Sequence, residues 1–393
     1  MKKIILFMLL LIAICLIQIV PIFASTSTTS LLPPKPKTIT LATYETTGGG
    51  YAQQAIIGEF LKREFDINWK PIPCPNDVSR VAMYNSGRTD LVALSLTAHF
   101  ALEGIGPFAE ISMGPQEYLC VYPATVSWWC RLGVRANSGI KTVADLKGKR
   151  VVYPVGNPGL TSIVEGTLAF GGLTWDDVEV VEISNTAGVY AAVVEGAADA
   201  TVMTGGGSDA YKLEASPWGL YWLPMLPEDV EGWERFMERC PYMFPQLFTY
   251  GVGASEENPV WAGAYGQTIF GSPDLDENIA YWTTKAIWET NNLAAETSEV
   301  MKEFNLKEVG LKAKWIYPWH PGSIKYLKEV GLWGPVQERN QQPLIDRQKA
   351  LAKLWEETID EAIDLKMTSK EYPAFWLQKR SERFPEWYKP VFD

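Results

Sequence analysis

The chain has 393 residues, 47% of them apolar and 21% charged. That is enough to bury one or two cores and is too apolar for a disordered chain. Its formal charge is −11, and no basic stripe interrupts it, which argues against a nucleic-acid binder because phosphate attraction needs clustered Lys and Arg.

At the N-terminus Lys2-Lys3 precede an apolar run from Ile4 to Ala24, broken only by Gln18 and Pro21. With Ile22-Phe23-Ala24 before Ser25 as a cleavage site, residues 1–24 are expected to be a signal peptide or an uncleaved anchor. No second run of that length follows, so the body is expected to be soluble. Cys15 follows Ile14 rather than a small residue, which disfavours a lipid-modified cysteine. Residues 25–37, rich in Ser, Thr and Pro, are expected to form a tether that stiffens toward extended polyproline. Export implies an extracytoplasmic protein held near a membrane surface.

A unit then occurs twice. In the first copy a strand (Ile39–Ala42) meets a glycine turn (Thr47-Gly48-Gly49-Gly50) and a helix from Tyr51 to Glu64. A helix from Asp77 to Ser86 comes next, capped by Asn76 or Asp77. Gly87-Arg88-Thr89-Asp90 then leads into the apolar run Leu91–Leu96. In the second copy a strand (Arg150–Val155) meets Gly156-Asn157-Pro158-Gly159 and a helix from Thr161 to Phe170. A strand (Val180–Ile183) and a helix (Thr186–Glu195) follow, and Gly196-Ala197-Ala198-Asp199 leads into Ala200–Thr204. Alternating strands and helices predict α/β layers with mostly parallel sheets.

Between the copies, Tyr118–Val134 is expected to pair as strands around a turn at Pro123–Ser127 and to carry the chain into the second lobe. Pro217–Pro245, rich in Pro, Trp and Glu, is expected to be irregular covering. The chain returns to the first lobe near Trp261–Phe270, followed by a long helix over Leu275–Asn291 and a short one over Ser323–Val330. The expected organisation is therefore lobe one at 38–135 plus 263–335, lobe two at 136–262, and a helical extension at 336–393.

The glycine turns sit where strands enter helices. Glycine lets backbone N–H groups approach a ligand closely, and a helix N-terminus attracts negative charge. With both turns at carboxyl strand ends, they are expected to face one cleft. Tyr44, Thr46, Thr47, Gly49, Gly50 and Tyr51 are the expected first jaw, with Asn76, Asp77, Ser95 and Thr97. Asn157, Gly159, Leu160, Thr161, Thr204 and Gly205 are the expected second. Asp90 and Asp199 are expected to brace strand starts rather than to bind.

Neither turn carries the Gly-Lys-Ser/Thr of a phosphate loop or the dinucleotide pattern, so no nucleotide cofactor is expected. The cysteines form no CxxC pair and the chain has two histidines, so no metal site is expected. Cys120 and Cys130 could pair across the expected hairpin, or Cys74, Cys120, Cys130 and Cys240 could be buried thiols. His320 has no catalytic partner, and no Gly-x-Ser-x-Gly elbow exists, so an enzyme is not expected.

These stretches resemble the TAXI type of TRAP-transporter solute-binding protein. The matching residues are Thr47-Gly48-Gly49-Gly50-Tyr51, Ser86-Gly87-Arg88-Thr89-Asp90-Leu91, Asp145-Leu146-Lys147-Gly148-Lys149-Arg150-Val151 and Gly196-Ala197-Ala198-Asp199-Ala200. The most specific is His320-Pro321-Gly322-Ser323-Ile324-Lys325-Tyr326. The resemblance spans about residues 38–335 and implies a two-lobed type II periplasmic-binding fold with a hinge. It also implies capture of a small organic anion (a dicarboxylate, 2-oxoacid or acidic amino acid) for an ion-driven membrane permease. Ala52 and Asn76-Asp77 depart from the family pattern near the pocket. An ABC-type receptor for a sulfonate-like ligand fits the lobe motifs too, and a secreted enzyme on the same scaffold would need a catalytic group that the sequence does not supply.

Overall fold

The first lobe is built on a five-stranded sheet of order β2 (Asn68–Pro73), β1 (Thr38–Thr43), β3 (Leu91–Leu94), β12 (Thr268–Gly271) and β4 (Leu119–Pro123). The second is built on a seven-stranded sheet of order β10 (Phe244–Phe248), β11 (Val260–Tyr265), β5 (Trp128–Arg135), β8 (Ala200–Thr204), β6 (Arg150–Pro154) and β7 (Glu179–Ile183), with β9 (Leu220–Trp222) beside β5. The structure is a computed structural model that describes residues 32–124, 128–240, 243–298, 301, 304 and 317–385. The expected leader at 1–24, most of the tether, and Trp387 and Tyr388 lie outside the described residues. The chain divides at Pro34, and residues 35 onward form one unit that carries both lobes. Among the described residues no helix is long and apolar enough to cross a membrane.

In the first sheet β1 (Thr38–Thr43) lies parallel to β2 (Asn68–Pro73) and β3 (Leu91–Leu94). Helices α1 (Gly49–Phe65) and α2 (Asp77–Asn85) connect them, and α3 (Thr97–Glu103) follows. The second sheet repeats the plan. There β6 (Arg150–Pro154) lies parallel to β7 (Glu179–Ile183) and β8 (Ala200–Thr204), joined by α4 (Pro158–Phe170) and α5 (Thr186–Glu195). The two-lobed α/β architecture expected from the repeat is what the chain adopts, but its sheets are not mostly parallel. The strands within each repeat pair in parallel, whereas those around the two crossings pair antiparallel, because they are not joined by the crossover helices that parallel strands need.

The Gly-x-x-Asp repeat has one physical explanation in both lobes. Gly87 (φ 72°) and Gly196 (φ 80°) take the left-handed conformation that ends the preceding helix without a Cβ penalty. The Asp90 carboxylate then accepts from the Thr40 N–H and hydroxyl, both at 2.7 Å. The Asp199 carboxylate accepts from the Arg150 N–H at 2.9 Å and from its guanidinium at 2.8 Å. Each aspartate thus ties the third strand of its lobe to the first, as expected.

Between Pro123 and Trp128 the chain crosses from β4 (Leu119–Pro123) to β5 (Trp128–Arg135), and it returns between β11 (Val260–Tyr265) and β12 (Thr268–Gly271). The Ala124 N–H donates to the Gln267 carbonyl at 2.6 Å, which ties the two crossings together. The expected hairpin is overturned: β4 pairs with β12 and β5 with β8, β9 and β11. Trp128–Arg135 and Val260–Tyr265 therefore belong to the second sheet, so the sheets change earlier than residue 135 and later than 263. Hydrophobicity marks both strands as buried but not which sheet buries them. Cys74, Cys120, Cys130 and Cys240 are buried thiols.

Pro217–Pro245 is less irregular than expected. It contains β9 (Leu220–Trp222), α7 (Val230–Arg239) and the first residues of β10 (Phe244–Phe248). Trp233, Phe236 and Cys240 recur at helical spacing and are buried in the second core. Helix α6 (Ser208–Glu214) follows β8. In the first lobe α8 (Glu277–Thr297) and α9 (Pro321–Glu329) pack together, and the His-Pro-Gly-Ser-Ile-Lys-Tyr run forms their seam. His320 caps α9 by accepting the Gly322 N–H on Nδ1 at 3.2 Å. A Cβ at Gly322 would lie 2.2 Å from the Glu277 carbonyl oxygen. Ser323 hydrogen-bonds Thr284 at 2.9 Å, and the Tyr326 hydroxyl donates to Glu289 at 3.1 Å.

The extension packs back onto the first lobe as α10 (Pro335–Asp364) and α11 (Tyr372–Arg383). Its apolar contact centres on Leu351, Trp355, Tyr372 and Trp376 against Ala109. Arg347 holds both oxygens of the buried Glu103 carboxylate at 2.8 and 2.9 Å, and Arg380 adds a third contact at 2.5 Å. Burial disfavours that carboxylate's charge, yet the two guanidinium groups hold its pKa below the ordinary carboxylate value.

Candidate functional site

The strand ends of the two lobes meet. Val78 N–H donates to the Gly156 carbonyl (3.2 Å), Asp77 N–H to Asn157 Oδ1 (3.1 Å), and Asn76 Nδ2 to the Ser184 carbonyl (3.0 Å). From the other side, Thr186 N–H and hydroxyl donate to the Pro75 carbonyl at 3.0 and 3.1 Å. Ala187 N–H donates to Glu45 Oε2 at 2.6 Å, and Ser208 Oγ to the Thr47 carbonyl at 3.3 Å. The lobes are therefore joined directly, mostly through backbone groups.

Behind this seam lies a narrow cavity of about 40 Å³. At roughly 10–15 Å³ per water centre it admits only a few waters or one small ligand. Tyr44, Gly48, Gly49, Gly50 and Ser95 line it from the first lobe, and Thr186, Tyr190 and Thr204 from the second. Tyr265 and Gln267, at the return crossing, complete it. None of these side chains carries a formal charge at neutral pH. Burial raises the pKa of Tyr44, Tyr190 and Tyr265, so all three are neutral donors. Cys130, hydrogen-bonded to the Tyr265 hydroxyl at 3.1 Å, is pushed up to about 12 by burial.

Arg80 supplies a buried cation at the edge of the site. Its guanidinium stacks 3.8 Å from the Tyr44 ring centroid and donates to Asp77 at 2.6 Å and to the Ala93 carbonyl at 3.1 Å. Asp77 also accepts from the Thr97 hydroxyl. Gln54 from α1 donates to Gln267 Oε1 at 3.0 Å and so fixes that amide. The hydroxyls of Tyr44 and Thr204 are buried without a hydrogen-bond partner among the described residues, although Ser95 and Gln267 lie near enough to Tyr44 to favour its ionised form.

Of the residues expected in the jaws, Tyr44, Gly49, Gly50, Ser95 and Thr204 line the cavity, and the others do not. Thr46 and Thr47 are exposed at the mouth, and Tyr51 is half-buried one residue further along α1. Asn76 caps α2. Asp77 and Thr97 are consumed by the ion pair, so neither is free for a ligand. Asn157 holds the Asp77 N–H, and Gly159 packs on Leu96 and Thr97 so closely that a Cβ would lie 3.0 Å from Leu96. Leu160 joins the second core. The Thr161 hydroxyl bonds the carbonyls of Pro154 and Asn157. Gly205 lies under Trp129, where a Cβ would sit 2.1 Å from the ring. The second glycine turn thus meets the first lobe as a packing surface, not as a cavity wall.

Gly48, Arg80, Thr186, Tyr190, Tyr265 and Gln267 were not expected at the site. Thr186 and Tyr190 lie at the start of α5, whose place after β7 mirrors α2, and that symmetry was available in the sequence. Tyr265 and Gln267 depend on the crossing, which is a tertiary feature. Neither histidine lines the cavity. Burial pushes His99 and His320 down to about 4, so both are neutral at pH 7.

A sequence profile of the NMT1-like family matches residues 42–331. The chain belongs to the NMT1-like family. The match runs from the end of β1 past α9 and stops before α10, so the tail helices of this NMT1-like protein lie beyond it. It covers the stretches that carry the resemblance drawn above and does not specify a transporter type. Among solved structures, the alkanesulfonate-binding protein SsuA of Xanthomonas axonopodis pv. citri bound to MOPS is 15% identical, with 82% of this chain and 94% of that chain covered at a TM-score of 0.43. The periplasmic aliphatic sulphonate binding protein SsuA of Escherichia coli is 15% identical, with 84% and 94% covered at 0.43. Tv2483 bound to L-arginine is 12% identical, with 69% and 90% covered at 0.41. At these identities and scores the likenesses give no ligand for the NMT1-like chain.

Proposed function

We propose that this protein is an extracytoplasmic solute receptor that closes two lobes over a small organic anion and delivers it to a membrane permease. The observation that carries this is the cavity between the sheets, walled by both lobes and by Tyr265 and Gln267 at the return crossing. Its donors are neutral hydroxyls and the N–H groups at the start of α1, and no carboxylate lines it among the described residues. The small volume means that ligand enters when the lobes part at the two crossings, and closure then buries it. No histidine or activated nucleophile reaches the cavity among the described residues, which favours binding over catalysis. The resemblance supports a TRAP-type ion-driven permease as partner and a dicarboxylate, 2-oxoacid or acidic amino acid as ligand. The run that carries most of that resemblance is the α8–α9 seam, so it speaks for the scaffold more than for the pocket.

A second reading is a sulfonate-like ligand handed to an ABC-type permease. It is favoured by the engagement of Arg80 with Asp77, because carboxylates are commonly held by a free guanidinium fork and none lines this cavity. Ligand-stripped protein should gain thermal stability with at least one member of a panel of carboxylates, amino acids and alkanesulfonates. At a hundredfold excess over Kd the gain is about 2.7 kcal/mol. No shift across the whole panel would sink the receptor assignment, and the winning acid group would separate the two readings.

A further inference from the structure

We propose that Glu45 restricts the ligand to a single acid group, because its carboxylate occupies the second lobe's helix terminus at the cleft and leaves the start of α1 as the one anion-receptive pole. This rests on the receptor assignment above and narrows its ligand classes to those with a single acid group, which removes the dicarboxylates and acidic amino acids.

Among the described residues, four helices of eight or more residues begin at the cleft. In α5 the first donors are all taken: Thr186 N–H by the Pro75 carbonyl, Ala187 N–H by Glu45 at 2.6 Å, and Gly188 N–H by Asn185 at 2.7 Å. In α2 the donors of Asp77, Val78 and Ser79 go to Asn157, Gly156 and Asn76. Helix α4 begins with Pro158, which has no N–H, and its Gly159 is covered by Leu96 and Thr97. Only α1 differs. Gly48 provides no side-chain cap, and the N–H groups of Gly49 and Gly50 have no partner among the described residues. All three glycines line the cavity.

A second observation points to the same pole. Thr204 is 7% exposed, lines the wall from the other lobe, and its hydroxyl has no partner among the described residues. The buried Tyr44 hydroxyl, with Ser95 and Gln267 close by, likewise makes no hydrogen bond of good geometry among the described residues. An acid group on the α1 terminus would leave these hydroxyls for an uncharged oxygen of the same ligand. A second acid group would find no cation among the described residues that line the cavity, since Arg80 faces Asp77, and the other helix terminus already holds a carboxylate. Its desolvation would go uncompensated. The class implied is a monoanion with an adjacent hydrogen-bonding oxygen, such as a 2-oxo monocarboxylate or a monosulfonate.

The test compares matched pairs by calorimetry on the full, ligand-stripped chain: 2-oxopentanoate against 2-oxopentanedioate, and propanesulfonate against 3-sulfopropanoate. The wild-type protein should favour the monoanion of a pair by roughly tenfold or more. Glu45→Gln, which keeps an acceptor for Ala187 but removes the charge, should narrow that ratio, and Glu45→Ala should narrow it further. A wild-type preference for the dianion, or a ratio untouched by both variants, would overturn the role of Glu45 while leaving the receptor assignment intact. Failure of every compound to bind would overturn both.

Discussion

The two lobes share one plan and use it differently. In the first, the strand–glycine–helix junction opens on the cavity, and the next helix start carries a buried Asp77–Arg80 ion pair. In the second, the matching junction packs against Leu96 and Thr97, and the next helix start has no charge of its own: Asn185 caps it and Glu45 reaches it from the first lobe. Duplication therefore repeats the scaffold, while contact with the other lobe decides which copy keeps free donors. A glycine serves open approach in one copy and close packing in the other, although the local sequence chemistry is nearly the same.

The contrast can be broken most severely at the ion pair. Asp77→Ala leaves Arg80 buried without its carboxylate, and chemical denaturation should show a loss of about 3–5 kcal/mol. Asn185→Ala, at the corresponding cap of the second lobe, should lose about 0.5–2 kcal/mol. Equal losses would mean that the lobes are not distinguished at this position.

The glycines sharpen the comparison. A Cβ at Gly50 would lie 2.4 Å from the Tyr44 ring and 2.7 Å from the Gln267 amide. Gly50→Ala should cost about 1–3 kcal/mol through overpacking and abolish the ligand-induced thermal shift. A Cβ at Gly159 would meet Leu96 at 3.0 Å, across the seam rather than in the cavity. Gly159→Ala should retain a ligand-induced shift but weaken closure, read as a larger radius of gyration by solution scattering with ligand bound. If Gly50→Ala binds like the wild type, the first junction is not the ligand's pole.

The smallest effect is expected at the braces. Arg150, through its hydrogen bond to the carboxylate, holds Asp199 below the ordinary carboxylate pKa. A depressed folded-state pKa contributes stability above the unfolded value of about 3.9 and loses it as pH falls through the folded value. The difference between wild type and Asp199→Asn, about 1 kcal/mol or less for so exposed a pair, should therefore be full at pH 6 and fade below pH 4. A difference that persists undiminished at pH 2 would contradict that role.

Much of this was legible in order. The repeated strands and helices, the Gly-x-x-Asp braces and the helix starting near Pro321 follow from local periodicity, left-handed glycines and capping, all of which act over a few residues. The hairpin expected at Tyr118–Val134 failed because pairing partners are non-local: β4 and β5 are neighbours in sequence and lie in different sheets. The irregular covering expected at Pro217–Pro245 hid α7, since its Pro, Trp and Glu content obscured the Trp233–Phe236–Cys240 stripe. At the site, Tyr44, Gly49, Gly50, Ser95 and Thr204 could be picked out because strand ends and glycine turns mark them. Arg80 could not, since it looks like an ordinary charged residue on a helix until its neighbours are known.

The sequence by itself determined the duplicated units, their braces and the glycines at each strand-to-helix turn, because hydrophobic period, φ preference and capping are properties of short stretches. Only the tertiary structure decided where the chain changes sheets, which helix terminus keeps its donors, and that Glu45 reaches the opposite lobe. Those outcomes depend on which distant groups compete for the same N–H, and that competition exists only once the two lobes are brought together.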